Sequence, residues 1–340
     1  MANRKVLIVY TGGTIGMVKK EDGSFGPFNF DELIEYVPEL SRLPVDIEHQ
    51  TFEEPIDSSN MNPEKWMNLA ALLFEKRATY DGFVVLHGSD TMAYSASAVS
   101  FLLKDFNKPI IFTGSQLPIG IIRTDAKENL LTAIEIASSY EDDVPVVPET
   151  ALYFEYHLYR GNRTIKMNAE LFDAFQSPNY PMLAEAGVHL KFKSRYIAEM
   201  RDGEPQLFSK MSDKVGLLRI FPGMSPIWVK SLLNVEGIEG IVMETFGSGN
   251  APTEKWFLDE LQKTVDRGVL ILNVTQCVSG SVDQGRYETS SSFNKMGIIS
   301  AGDMTTAASI TKMMFVLANV EGRENQIAAL KRNLRGERSS

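Results

Sequence analysis

The sequence predicts an α/β protein with a larger N-terminal and a smaller C-terminal domain, each a mostly parallel sheet flanked by helices. Three observations carry that prediction. Short runs rich in β-branched residues alternate with stretches of helical apolar spacing. The runs are apolar throughout, as strands covered on both faces must be. The chain has 340 residues, enough for two cores at about 150 residues per domain.

In chain order, the first strand is Val6–Tyr10, and it ends on Thr11-Gly12-Gly13. Asn62 and Pro63 form a cap and first-turn pair, after which Trp66, Leu69, Ala70, Leu73 and Phe74 share one helical face. Strands are expected at Phe83–His87, Ile110–Thr113 and Ala151–Glu155, with helices carried by Ala93–Leu102 and by Leu130, Ala133, Ile134 and Ala137 between them. Residues 192–212 are polar and aperiodic, which makes them the expected linker between domains at 1–191 and 213–340. Strands at Val215–Ile220, Gly240–Glu244 and Val269–Asn273 build the second sheet. Ser225-Pro226 opens one of its helices, and Thr253–Arg267 forms another that stops at Gly268, a left-handed cap.

Composition removes several classes of function. The formal charge is 34 − 44 = −10, so the chain repels phosphate backbones, and Lys19-Lys20 is followed at once by Glu21-Asp22. No nucleic acid is expected as a partner. The lone Cys277 cannot form an intrachain disulfide, which fits a reducing compartment. His49, His87, His157 and His189 are too scattered to be a zinc site. No apolar run approaches the ~18 residues of a membrane span, and the apolar run at Val6–Tyr10 is too short for a signal peptide. A cytoplasmic protein is the expectation.

Four segments could carry chemistry. Thr11-Gly12-Gly13-Thr14-Ile15-Gly16 adjoins the first strand and reads as a structural turn, a presented nucleophile or a phosphate cradle. It lacks the G-x-G-x-x-G spacing of a dinucleotide site. His87-Gly88-Ser89-Asp90-Thr91 ends another strand and reads as a helix cap or as catalytic equipment, with His87 a hydrogen-bonded core or rim histidine. Arg160–Lys166 is a solvated basic loop or a source of a lysine base, and Asp57-Ser58-Ser59-Asn60 resembles a helix-entry cluster. Ligands bind outside the carboxyl ends of parallel strands, so two hydroxyls, an acid and a lysine would share one crevice. Such a set suits acyl transfer through an oxygen nucleophile, without metal or cofactor.

The chain resembles the bacterial L-asparaginases, in particular their cytoplasmic type I branch. The likeness rests on TGGTIG at 11–16, DSSNM at 57–61, HGSDTMAY at 87–94, TGSQLP at 113–118, YRGNRTIK at 159–166, FGSGNAP at 246–252 and NVTQCVSG at 273–280. The C-terminal Asn333–Glu337 fits the same branch. The resemblance implies that Thr14 is the nucleophile, at the hinge of a lid over about 17–28, and that Ser89, Asp90 and Lys166 handle protons. It implies that Ser58 and Asp90 hold the α-carboxylate and α-ammonium of a small amino-acid substrate, with Ser59 and Ser115 as further contacts. Asn250 would reach into a partner's site, in a homodimer or homotetramer. There are departures: serine replaces the family's threonine at 89, only Ser24 and Phe25 stand near the lid tyrosine's place, and Asp283 is the acid nearest the expected glutamate by Ser281. The rival readings are a glutaminase or tRNA-dependent amidotransferase subunit, a nucleotide-binding α/β protein, and a catalytically silent relative.

Overall fold

Strand β1 (Arg4–Tyr10) is buried from Val6 onward because it lies inside a sheet, between β2 (Val45–Thr51) and β3 (Gly82–Leu86), parallel to both. The computed structural model of the chain describes residues 3–19, 25–27, 36–285 and 288–339. Beyond β3 come β4 (Ile110–Thr113) and β5 (Thr150–Phe154), again parallel. Antiparallel strands β6 (His157–Arg160), β7 (Ala184–Ala186) and β8 (Leu190–Phe192) then extend the sheet. Among the described residues the order is β8-β7-β6-β5-β4-β3-β1-β2.

Helices cover the sheet where the apolar stripes require it. Asn62 accepts from the Lys65 N–H at the start of α1 (Pro63–Lys76), which buries Trp66, Leu69, Ala70 and Leu73. This helix packs on α2 (Met92–Leu102), which is buried almost all round. Helix α3 (Ala126–Ala137) inserts Leu130, Ala133 and Ile134 into a core with Val6, Ile8, Val84, Ile111 and Tyr153.

The chain forms two compact units, Met1–Ser209 and Lys210–Ser340. The expected linker at 192–212 is therefore corrected: most of it is folded onto the first unit. Tyr196 O accepts from Arg160, Ala198 N donates to Glu149, and Gln206–Leu207 pair with Leu103–Lys104. The segment makes these bonds with its backbone, so they leave no mark in its composition.

The second unit contains a parallel sheet of β9 (Val215–Arg219), β10 (Gly240–Thr245), β11 (Leu270–Thr275) and β12 (Ile299–Ser300), in that order. Helices α4 (Pro226–Leu233) and α5 (Lys255–Asp266) pack together, and Gly268 adopts φ +89° after α5 as expected. After α6 (Glu288–Met296) come α7 (Thr306–Asn319) and α8 (Arg323–Lys331), also in mutual contact. Among the described residues, no helix is long and apolar enough to cross a membrane.

Candidate active site

The turn after β1 exists because two glycines allow it. Gly12 has φ +133° and Gly13 φ +91°, and an added Cβ would stand 2.1 Å from Ile56 O at the first and 2.4 Å from Gly88 N at the second. The turn is thereby pressed against the segments at the ends of β2 and β3. The Tyr10 hydroxyl donates to Gly13 O at 3.3 Å and to Gly16 O at 3.1 Å, bracing the single 3₁₀ turn Thr14–Gly16. Burial pushes the Tyr10 phenol up to about 12, so it stays a donor at neutral pH.

The residues just beyond this turn count against a phosphate cradle. A dinucleotide or phosphate cradle leads into a helix. Here Met17–Lys19 pairs antiparallel with Phe25–Pro27 instead. Ser24 and the side chain of Phe25, the two residues near the expected lid tyrosine, lie outside the described residues.

The Gly88 loop sits against the Ser58 loop. A Cβ on Gly88 would meet Ser58 Oγ at 2.6 Å, and the Thr91 hydroxyl donates to Ser58 O at 2.7 Å. Ser58 is buried, and the Ser59 hydroxyl turns back to donate to Asp57. Lys166 arrives on a short strand pairing with Phe175. Its Nζ donates to Ser89 Oγ at 2.9 Å and to Asp90 Oδ1 at 2.7 Å. Hydroxyl, carboxylate and ammonium are thus assembled from segments 76 residues or more apart.

Two basic residues expected in a solvated loop are not there. Arg160 and Arg163 are buried, Arg160 donating to Glu149 at 2.6 Å and both guanidinium groups lying over Tyr180. Their burial ties the segment down and leaves Lys166 directed at Ser89. His87 is a core residue as read from sequence: its Nδ1 lies 2.7 Å from Gly88 O, and burial lowers it to about 4. A histidine neutral at pH 7 with its ring nitrogen on a carbonyl holds backbone and carries no charge into the site.

The Ser115 hydroxyl, expected to face substrate, donates to Leu117 O at 2.6 Å and is buried in its own turn. Its neighbour Gln116 is the residue that faces Ser89, with Ser89 Oγ donating to its Oε1 at 3.5 Å, the outer limit of a hydrogen bond. Sequence reading passes over Gln116, although it stands in a motif at a strand's carboxyl end. Asn250 belongs to the second unit, in a turn closed by paired bonds with Phe246. Asn273 and Thr275 donate to Gly249 O and Gly247 O in that turn, and Asp283 N donates to Ser248 O. The turn that carries Asn250 and the segment around Ser281 and Asp283 are therefore neighbours within the second unit.

The glycine turn before Thr14 packs on the Gly88 loop, and the next two residues of that loop, Ser89 and Asp90, meet Lys166, an arrangement compatible with an amide hydrolase that uses an oxygen nucleophile. Comparison with known proteins agrees. The asparaginase N-terminal domain matches residues 5–198, and the glutaminase/asparaginase C-terminal domain matches residues 214–330. The chain belongs to the asparaginase family. It is 39% identical to L-asparaginase 1 of Escherichia coli K12, over 99% of this chain and 98% of that one. The crystal structure of L-asparaginase I from Vibrio cholerae superposes with a TM-score of 0.91 at 35% identity, covering 100% of both chains. The thermostable L-asparaginase from Thermococcus kodakarensis gives 0.91 at 31% identity, covering 99% of both.

Proposed function

We propose that this protein hydrolyses the side-chain amide of L-asparagine to L-aspartate and ammonia, through an ester on Thr14. The observation that carries this reading is the Lys166–Ser89–Asp90 group beside the Thr14 turn, in a chain alike from end to end to named L-asparaginases. A threonine hydroxyl is a weak acid, so attack near neutral pH needs a proton acceptor and donors for the developing oxyanion. Thr14 Oγ1 forms a bond to the amide carbon while its proton passes to Ser89, whose own proton moves on to Lys166, an acceptor only after it has given up a proton of its own. Backbone N–H groups near Gly13 and Ser89–Asp90 receive the oxyanion. The C–N bond then breaks as that proton is delivered to the amide nitrogen and ammonia leaves, after which water attacks the ester, gives a proton back to Thr14 Oγ1 and releases aspartate.

Asp90 has a second task in this scheme. Its carboxylate accepts from the substrate's α-ammonium, and Ser58 holds the α-carboxylate. With Asp90 largely exposed, its ion pair with Lys166 is weak enough to be shared with substrate. Ser59 and Ser115 shape the loops on either side.

Asn250 would act in a second copy's site, in a homodimer or homotetramer. Supporting this, a cavity of about 710 Å³ in the second unit is lined by Asn250 together with Phe221, Met224, Phe246 and Trp256. Phe221, Ile227 and Trp228 are exposed, an apolar group suited to contact with another copy. The lone, exposed Cys277 fits action in the cytoplasm.

The experiment is ammonia release from L-asparagine and L-glutamine side by side, with light scattering on serially diluted protein. Release from asparagine by an oligomer, lost as monomers appear, is the expected result. A chain that releases no ammonia from asparagine would overturn the reading, and a fully active monomer would remove the role given to Asn250.

A further inference from the structure

The loop that places Gln116 against Ser89 is held by two buried polar side chains that the reaction scheme does not use. Asp125 precedes α3 and is 5% exposed; its Oδ2 accepts from Gln116 N at 2.8 Å and its Oδ1 from Leu117 N at 3.1 Å. Asn129 lies one helical turn on and is fully buried. Its Nδ2 donates to Gly114 O at 3.0 Å and to Asp125 Oδ2 at 3.3 Å. Its Oδ1 accepts from Glu155 N at 3.0 Å, in the turn between β5 and β6. The backbone of 114–117 is therefore gripped at Gly114, Gln116 and Leu117 from one helix end.

That grip reaches the reacting groups through one side chain. Gln116 Nε2 donates to Leu171 O at 2.9 Å, beyond Lys166, while Gln116 Oε1 lies against the Ser89 hydroxyl. Gln116 thus spans the gap between Ser89 and the segment after Lys166. A buried carboxylate is a costly way to hold a loop, because burial resists its ionisation and only the N–H bonds oppose that cost. What it secures is geometry: two oxygens on two successive N–H groups fix the peptide planes on both sides of Gln116.

We propose that Asp125 and Asn129 are positioning residues for the reaction, acting through Gln116 on the Ser89 hydroxyl. The inference rests on the proposed roles of Ser89 and Lys166. Misplacing a reacting group by about 1 Å is enough to cost up to about 10²-fold in rate. Their effect therefore falls on kcat, because neither residue is assigned a substrate contact.

The test uses Asp125→Asn, Asp125→Ala and Asn129→Leu in the full chain. Asp125→Asn keeps one acceptor oxygen but turns an NH₂ donor toward a backbone N–H. The expected result is a kcat lower by about tenfold for Asp125→Asn and Asn129→Leu and by more for Asp125→Ala, with KM for asparagine within about threefold. Hydrogen exchange at the Gln116 and Leu117 amides should accelerate at least about tenfold in Asp125→Asn. If Asp125→Ala does not fold, Asp125→Asn carries the test. A wild-type kcat in the Asn and Leu variants, a loss in KM alone, or unchanged exchange at both amides would overturn the proposal while leaving the proposed function standing. An unsubstituted protein that releases no ammonia from asparagine would overturn both.

Discussion

Two lysine–carboxylate pairs of nearly equal length occupy opposite kinds of surroundings. Lys166 lies 2.7 Å from Asp90 in the first unit, with side chains 17% and 69% exposed. Lys312 lies 2.6 Å from Glu337 in the second, and both are 0% exposed. Lys312 Nζ also donates to Leu330 O and Arg332 O, while Glu337 accepts from the N–H groups of Leu334 and Arg335. Burial works to raise the Glu337 carboxyl, but Lys312 and those N–H bonds prevail and hold it low. Every donor of Lys312 is spent on fixed partners, so this pair fastens the C-terminal segment to α7. Lys166 instead shares its protons between a solvated carboxylate and a hydroxyl. Contact distance alone separates neither role; surroundings and partner chemistry do.

Substitution should separate the two pairs. The largest effect belongs to Lys166→Arg, which keeps a charge but cannot release a proton. Ammonia release should fall about 10³-fold or more, while thermal unfolding moves little. Substantial activity in this variant would mean that Lys166 supplies only a positive field.

Lys312→Met should do the reverse. It strands Glu337 in the core and should cost about 3–5 kcal/mol of stability, read from denaturant unfolding. Activity per folded molecule should survive. A stability loss below about 1 kcal/mol would show that the buried pair does not fasten the C-terminal segment.

A smaller effect should follow pH. Glu155 is pushed up to about 7 by burial first, then by Asp125, Glu128 and Asp173. A carboxyl raised on folding keeps its proton longer than in the unfolded chain, so stability falls as pH rises from about 4.5 to about 7. Glu155→Gln should therefore be more stable than the parent at pH 8, by about 1–2 kcal/mol after solvent screening, and equal to it at pH 4. A gain that is the same at both pH values would contradict this. The smallest effect is that of Ser89→Thr, which adds a methyl and restricts χ1 of the hydroxyl that Lys166 contacts. Its kcat should stay within about threefold of the parent or rise. A collapse would show that the site has repacked around serine.

The central parallel strands are legible in the sequence because burial on both faces leaves continuous apolar runs such as Gly82–Leu86. Strand β2 escapes that reading because every residue of Val-Asp-Ile-Glu-His-Gln-Thr is half-buried or exposed, as at a sheet edge. The antiparallel β7 and β8 are three residues each, too short for any period to register. At the candidate site, Ser89 and Asp90 are legible as a strand-end motif, whereas Lys166 stands out only through the family resemblance. The burial of Arg160 and Arg163 is not, because it depends on Glu149 and Tyr180, which meet them only in the fold. Asp125 and Asn129 escape the sequence altogether, since nothing local reveals which backbone their side chains will meet.

In the proposed reaction Thr14 forms the covalent ester while Ser89 and Lys166 move its proton. Acid quench during the first turnover of L-asparagine, followed by digestion and mass spectrometry, locates the ester directly. The expected product carries an aspartyl group on the peptide containing Thr14. An aspartyl group on the peptide containing Ser89 would contradict it.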